Sequence, residues 1–437
     1  MKIFSVLRIH FIAVLFVTLA SRVYAQEIFC SLPDQVIKAH GKIYPIKGGG
    51  NKYFKIYRQP KLEGLIDSTG KFILPASFKY IGNIANGYVT ARLPNDAFVL
   101  INLSTGRRLP LPYQAVSPDI LDGTITVKHN NAPQLIDLKN NILIPSGKFQ
   151  SLADPSEGLL PVLKNGLYGF ADYRGNVVIP CKYYYVDSFY KGRAIVYAGN
   201  KDQQLEGMVD KQGNELLKPI YKRLLMVEEN ISVQDTSGKI AVFNKEGNRL
   251  TSFIYSHIYD DTKDDYVIAS RDGADFLMNS EGKEMFKSEY LGLNKDNGIA
   301  GPVKNGYIIA HQYNSDGQLK YGVLKFDGSI VLPLQYDFLD GFGQTELVML
   351  PARTEKYGSI DYQGSIVLQP KYDEVLLKAG KGYVVRLDEK IGVVDQKGKI
   401  LIPFLYDALA DDQPMCLLSL RKGTQTHYYD LNFTKQK

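Results

Sequence analysis

The sequence predicts an all-β protein built from tandem three-stranded antiparallel β-meander repeats, arranged as a propeller-like or superhelical array. Three observations carry this. A short pattern recurs about ten times at nearly constant spacing. Each copy holds apolar, strand-like runs joined by tight turns centred on Gly. The chain has 30 Tyr, 20 Phe and 39 Gly and no Trp; aromatic side chains favour strands and Gly favours turns.

One clear copy, residues 392–407, reads GVVDQKGKILIPFLYD. Gly392 to Val394 is β-prone. Asp395 opens a reverse turn because its carboxylate can accept bonds from the backbone two residues on. Gly398 closes the turn because it tolerates positive φ. Lys399 to Ile402 is the return strand, and Pro403 stops it by removing a ladder donor. Tyr406 then presents a large ring toward the core between units.

Aligned on the turn, the anchors are Gly70, Gly106, Asn140, Gly175, Gly213, Gly247, Gly282, Gly328, Gly364 and Gly398. The steps run from 34 to 38 residues, except one of 46, and the regularity marks a repeat architecture. The best-kept copies add Asp67; Asp172 with Pro180 and Tyr183; Asp210; Pro333 with Tyr336; Asp361 with Tyr372; and Asp395 with Pro403 and Tyr406. A third strand lies upstream in each unit. In the fourth it is Leu159 to Leu163, turning at Asn165-Gly166 into Tyr168-Gly169-Phe170. Propellers usually have roughly four to eight blades. Ten units therefore suggest an open or superhelical array, or two rings.

Residues 1–25 read as a secretory signal peptide. Lys2 and Arg8 supply positive charge, residues 9–19 are apolar, and Val23-Tyr24-Ala25 is a small–x–small cleavage site that leaves Gln26 as the new N-terminus. Residues 26–52 are a lead-in whose Gly48-Gly49-Gly50 reads as a linker. Residues 53–410 hold the repeats, and 411–437 read as a C-terminal capping strand. No transmembrane span is expected after signal removal. The expected location is outside the cytoplasm of a bacterium, in periplasm, envelope or medium. Loss of Lys2, Arg8 and Arg22 with the signal brings the net charge from +6 to +3. So near-neutral a chain lacks the concentrated basic surface that nucleic acid requires. Cys30, Cys181 and Cys416 are odd in number and widely spaced, which reads as neither a disulfide framework nor a zinc pattern. Cys181 stands where sister repeats carry Ala76, Leu334 and Phe404, so its expected role is packing.

The unit resembles the WG-repeat family of bacterial proteins. That repeat reads approximately Trp-Gly-Phe-Ile-Asp, two polar residues, Gly-Lys, an apolar strand, Pro and Tyr-Asp. Tyr168-Gly169-Phe170-Ala171-Asp172 and Tyr357-Gly358-Ser359-Ile360-Asp361 match it, and the resemblance covers roughly residues 53–410. The chain departs from it at the Trp, where Tyr168, Tyr321, Tyr357, Ile391, Glu63 and Glu206 stand instead. The resemblance implies a β-repeat fold and an adapter or binding role, and brings no active site.

Chemistry was sought and not found in the pattern. The six His are scattered, and no nucleophile elbow, phosphate loop or dinucleotide fingerprint occurs in context. The repeated Asp row is read as turn-forming rather than catalytic, since Asn244 and Asn279 keep the turn bond without the charge. The acidic cluster of Asp260, Asp261, Asp264 and Asp265 reads as a solvated loop rather than a Ca²⁺ site. No catalytic residue, cofactor or metal is expected. The function expected is that of an exported, non-catalytic scaffold for an unknown protein or glycan partner. The alternatives are a propeller-type carbohydrate-active hydrolase, which needs carboxylates converging from different repeats, and an envelope-associated structural protein. Function is expected where repeats differ: residues 260–265, 294–305 and 314–317.

Overall fold

A computed structural model describes residues 27–28, 32–58, 61–200, 203–227, 230–259, 266–287, 292–293, 307–342 and 345–436. The expected signal peptide, ending at Ala25, and the expected new N-terminus Gln26 lie outside the described residues, as do the loops at 260–265 and 294–305. The described chain forms eleven small sheets arranged as an eleven-blade propeller. The blades span residues 43–78, 80–111, 115–144, 151–183, 185–221, 223–244, 257–287, 292–336, 338–372, 374–406 and 408–429. The helix Asp34–His40 is the single helix among the described residues.

Blade 4 shows how the sequence makes the unit. Its strands are Ser151–Leu152, Leu159–Lys164, Leu167–Asp172 and Val177–Tyr183, in that spatial order. Asn165 and Gly166 both take positive φ, 54° and 79°, and join the second and third strands. Asp172 to Gly175 joins the third and fourth. The short first strand lies in the segment expected to cross between units, so most meanders carry four strands rather than three.

Middle strands are buried on both faces. Leu160 and Val162 pack into a core shared with Leu135 and Ile144 of blade 3. Leu159 and Phe170 enter another shared with Val186, Ala194 and Val196 of blade 5. Two-sided burial explains why these strands read as continuous apolar runs rather than alternating ones.

The same interleaving closes the ring. Among the described residues there are eleven apolar cores, each between two blades, and one of them joins blade 11 to blade 1. An open array of eleven blades would have one interface fewer. At the closing seam Ile43, Phe54 and Ile66 meet Cys416 and Leu417. Met415 N donates to Ile43 O at 2.8 Å, and Asp412 accepts from Lys42 Nζ and Tyr44 OH at 2.7 and 2.6 Å. The expectation of an open array or two rings is therefore corrected: repeat number alone does not set closure, because closure depends on whether the terminal faces are complementary.

Three smaller expectations change. Gly48 to Gly50 is no linker but the turn inside blade 1, where Lys47 O accepts from Ile84 N of blade 2 at 2.9 Å. A Cβ on Gly48 would lie 1.8 Å from Ile84 O, where two blades meet, and one on Gly49 would lie 2.7 Å from Tyr53 O of its own blade, so both places exclude a side chain. Cys416 is disulfide-bonded, a single bond that the odd count and wide spacing of the cysteines did not indicate. An eleventh turn was hidden at Asp430 to Phe433. Its bonds match those of eight of the other ten, the turns at Asn102 and Lys325 differing, but Phe433 holds the glycine position with φ 64°.

Candidate binding surface

The Asp of each turn is locked into its own hairpin. Asp172 Oδ1 accepts from Arg174 N and Asn176 N at 2.9 and 2.8 Å, and Asp395 Oδ1 from Lys397 N and Lys399 N at 2.9 and 2.8 Å. Asp67, Asp210 and Asp361 make the same pair of bonds. Bonds to the charged form hold Asp67, Asp137 and Asp172 below the usual carboxylate range despite partial desolvation. Gly70, Gly175, Gly213, Gly328, Gly364 and Gly398 all take φ between 78° and 90°. Tyr183, Tyr372 and Tyr406 are buried, Tyr336 is half-buried, and Pro180, Pro333 and Pro403 are exposed. The loop at 314–317 is another such turn, with Asn314 Oδ1 accepting from Asp316 N and Gln318 N at 3.0 and 2.9 Å. These groups serve the hairpins.

The Trp position of the unit points at the first strand of the next blade. Tyr168 meets Tyr185 edge-on at 5.4 Å, and Tyr321 meets Phe338 at 5.9 Å. Glu63 and Glu206 reach the same strand by hydrogen bond: they accept from Ile81 N and Leu224 N at 2.7 and 2.5 Å. Lys55 lies 2.9 Å from the buried Glu63 and compensates its charge. Ring and carboxylate thus solve one problem, joining adjacent blades, by different chemistry.

At the opposite ends of the second strands, successive blades are latched. Gly158 N donates to Asp122 Oδ2 at 3.2 Å, and Gly192 N to Glu157 Oε2 at 2.9 Å. Lys211 Nζ adds a bond to Glu157 O at 2.8 Å. Between blades 3 and 4 lies a cleft of about 460 Å³, lined by Ser117, Thr126, Lys128, Gln150 and Asp154 among others. Val116, Val127, Pro133 and Leu152 also line it, so the cleft is of mixed polar and apolar character.

Residues two positions past each turn anchor were not singled out by sequence, yet they vary most informatively. Phe72, Ile142, Val177, Ile330, Ile366 and Ile400 occupy this place on the fourth strands and are 38–58 % exposed. Blades 2, 5, 6, 7 and 11 carry Arg108, Glu215, Arg249, Glu284 and Lys435 there instead. Glu215 is paired with Lys182 at 3.2 Å, and Glu284 with Arg271 at 2.6 Å. The signal that could have found the row is its register: in the ten aligned repeats each sits two residues after the anchor Gly or Asn, and in blade 11 two after Phe433.

These features match one known repeat. The family model described as WG containing repeat matches residues 64–93, 135–168, 168–201, 357–377 and 391–411. The chain is a WG-repeat protein. No curated protein matches this WG-repeat chain. Among solved structures it is similar to BamB from Moraxella catarrhalis, at 14 % identity over 66 % of this chain and 92 % of that one, TM-score 0.28. It is also similar to a eukaryotic initiation factor, at 10 % identity over 74 % and 97 %, TM-score 0.37. A third is the computationally designed Ika8 protein, at 13 % identity over 74 % and 95 %, TM-score 0.23. At these scores the likenesses carry no functional argument. Among the described residues of the WG-repeat protein, no helix is long and apolar enough to cross a membrane.

One carboxylate stands apart in the WG-repeat ring. Burial pushes Asp340 of blade 9 up to about 6, opposed by a bond from Gly341 N. Nearby, Tyr307 and Tyr362 stack at 5.0 Å and 7°. The folded chain therefore keeps this proton at pH values where the unfolded chain, with its ordinary value of 3.8, has lost it. The stability that this proton brings is complete below about pH 4 and is lost as pH rises through 6. Asp340→Asn should raise the melting temperature at pH 8 and leave it unchanged at pH 4. Thermal melts at the two pH values check this, and equal gains at both would refute it.

Proposed function

We propose that the protein is an exported, non-catalytic scaffold that binds a protein partner through its fourth strands. The observation that carries this is the row of exposed apolar residues, above all Ile330, Ile366 and Ile400 at one position of blades 8, 9 and 10. Single exposed apolar residues are ordinary on any surface; the same one at the same place on three successive blades is the pattern of a contact surface. Repeat arrays hold such positions on a constant frame while the side chains vary. The disulfide at Cys416 supports an oxidising compartment, in agreement with the signal-like leader.

Two measurements test the reading. N-terminal sequencing of the protein recovered from periplasm or medium should begin at Gln26; recovery of the full-length chain from cytosol alone removes the export part. The binding part is tested by replacing Ile330, Ile366 and Ile400 together with Ser. Capture from periplasmic extract should identify a protein whose retention falls about tenfold or more in the triple variant, as expected when an apolar hot spot is removed. Equal retention by both forms would exclude this surface.

A further inference from the structure

Three tyrosine rings gather beside the first strand of blade 5. Tyr168 of blade 4 meets Tyr185 edge-on at 5.4 Å, and Tyr185 meets Tyr197 at 5.5 Å. Tyr185 lies on the first strand of blade 5, and Tyr197 faces it from the second. Tyr185 is 46 % exposed, so the group opens to solvent. Two half-buried carboxylates border it. Tyr197 OH donates to Asp187 Oδ2 at 3.0 Å. Glu206, directly opposite Tyr197 on the third strand, accepts from Leu224 N of blade 6 at 2.5 Å.

The charge at this place is uncompensated. Elsewhere in the ring a carboxylate set beside tyrosine carries its own cation. Glu63 has Lys55 Nζ at 2.9 Å, Glu346 has Lys378 Nζ at 2.7 Å, and Glu284 has Arg271 Nη1 at 2.6 Å. Blade 1 is the direct comparison, because Glu63 and Tyr57 hold the places of Glu206 and Tyr197. There the Lys55 ammonium also donates to Ile81 O at 2.8 Å and lies 5.0 Å from the centre of the Tyr80 ring. Blade 5 has Ile195 in the place of Lys55. Among the described residues neither Asp187 nor Glu206 has an ion pair, and Arg223 acts on Glu206 only through its longer-range field. Burial pushes the Asp187 carboxyl up against the bond from Tyr197. Burial also pushes Glu206 up, against the bond from Leu224 N and the field of Arg223, and the charge of Asp187 adds to it.

We propose that Tyr168, Tyr185 and Tyr197, with Asp187 and Glu206, form a binding site for a primary ammonium group, the group that Lys55 supplies from within in blade 1. The negative ring faces attract a cation, and the carboxylates accept its N–H bonds. A quaternary ammonium has no N–H to give them. The group comes either from a lysine side chain of a protein partner or from a free small amine. The site is separate from the fourth-strand surface and does not depend on it.

Isothermal titration calorimetry on the full-length chain at neutral pH tests this with two probes, a short peptide holding one internal lysine and butylamine. At least one should bind. Tighter binding of the peptide assigns a partner's lysine, and tighter binding of butylamine assigns a free amine. The double variant Asp187→Asn with Glu206→Gln should weaken that binding about tenfold or more, and Tyr185→Ala about threefold or more. The peptide with its lysine acetylated should not bind. The double variant should melt no lower than the wild-type chain, since it keeps the hydrogen-bond acceptors and removes charges that have no partner. A lost signal then reports the site and not unfolding. No heat from either probe, equal binding by the double variant, equal binding of the acetylated peptide or a lower melting temperature for the double variant each overturns the proposal.

Discussion

Gly169→Ala is expected to destabilise the fold by roughly 2–4 kcal/mol, among the largest effects of any single methyl group in the chain. The reason lies in the register of blade 4. Tyr168 pairs with Tyr183 and Phe170 with Ile179, so two steps on the third strand face four on the fourth. The excess residues bulge across Gly169. A Cβ there would lie 2.4 Å from Ile179 O and 2.7 Å from Cys181 N and Pro180 C. All three are backbone atoms, so no side-chain rotation relieves the clash. Gly358 sits under the equivalent bulge, with a Cβ 2.4 Å from Leu368 O, and should behave alike. The contrasting substitution is Gly166→Asn. Gly166 has positive φ and nothing within 4 Å of a Cβ, and Asn tolerates that backbone, so the expected cost is about 0.5 kcal/mol or less. Thermal melts of the three variants decide the matter: a loss of roughly 3–5 °C for the two bulge glycines and little for Gly166→Asn. A wild-type melt for Gly169→Ala would mean that the fourth strand can slide and that close approach is not why the glycine is there.

Lys378→Ala should cost roughly 3 kcal/mol, because it strands a buried carboxylate. Glu346 of blade 9 is 6 % exposed. It accepts from Ser359 Oγ at 3.0 Å in its own blade and from Tyr383 OH at 3.0 Å in blade 10, and it lies 2.7 Å from Lys378 Nζ. Removing the ammonium leaves the hydroxyl bonds but no compensating charge. Removing both charges, as in Glu346→Gln with Lys378→Met, should recover more than half of the loss, since an amide can keep the hydroxyl bonds without a charge to desolvate. Denaturant unfolding of the two single variants and the double completes the cycle. Additive losses would show the two groups to be independent and the pair to be solvated.

Legibility followed locality. The turn of each unit is settled by about six neighbouring residues, so Asp172, Gly175 and their counterparts were readable from sequence. The WG glycine was readable as a motif but not as a cause, because the bulge that demands it lies on another strand. Phe433 shows the reverse case. The eleventh turn lost its glycine signal since a residue valued for its ring, which packs beside Gly382, occupies the place. The exposed row was overlooked because an isoleucine in an apolar run reads as core; only the position of the blade edge tells Ile400 from its buried neighbour Ile402.

The sequence by itself determined the repeat, its hairpin chemistry and the all-β class, since each depends on contacts within one unit. Tertiary structure decided the number of blades, the closure of the ring and the meeting of Cys416 with the N-terminal segment. Those depend on the angle at which successive blades pack and on whether the last apolar face fits the first. No local pattern encodes that sum of small rotations, so the ends of the chain carry no sign that they are neighbours.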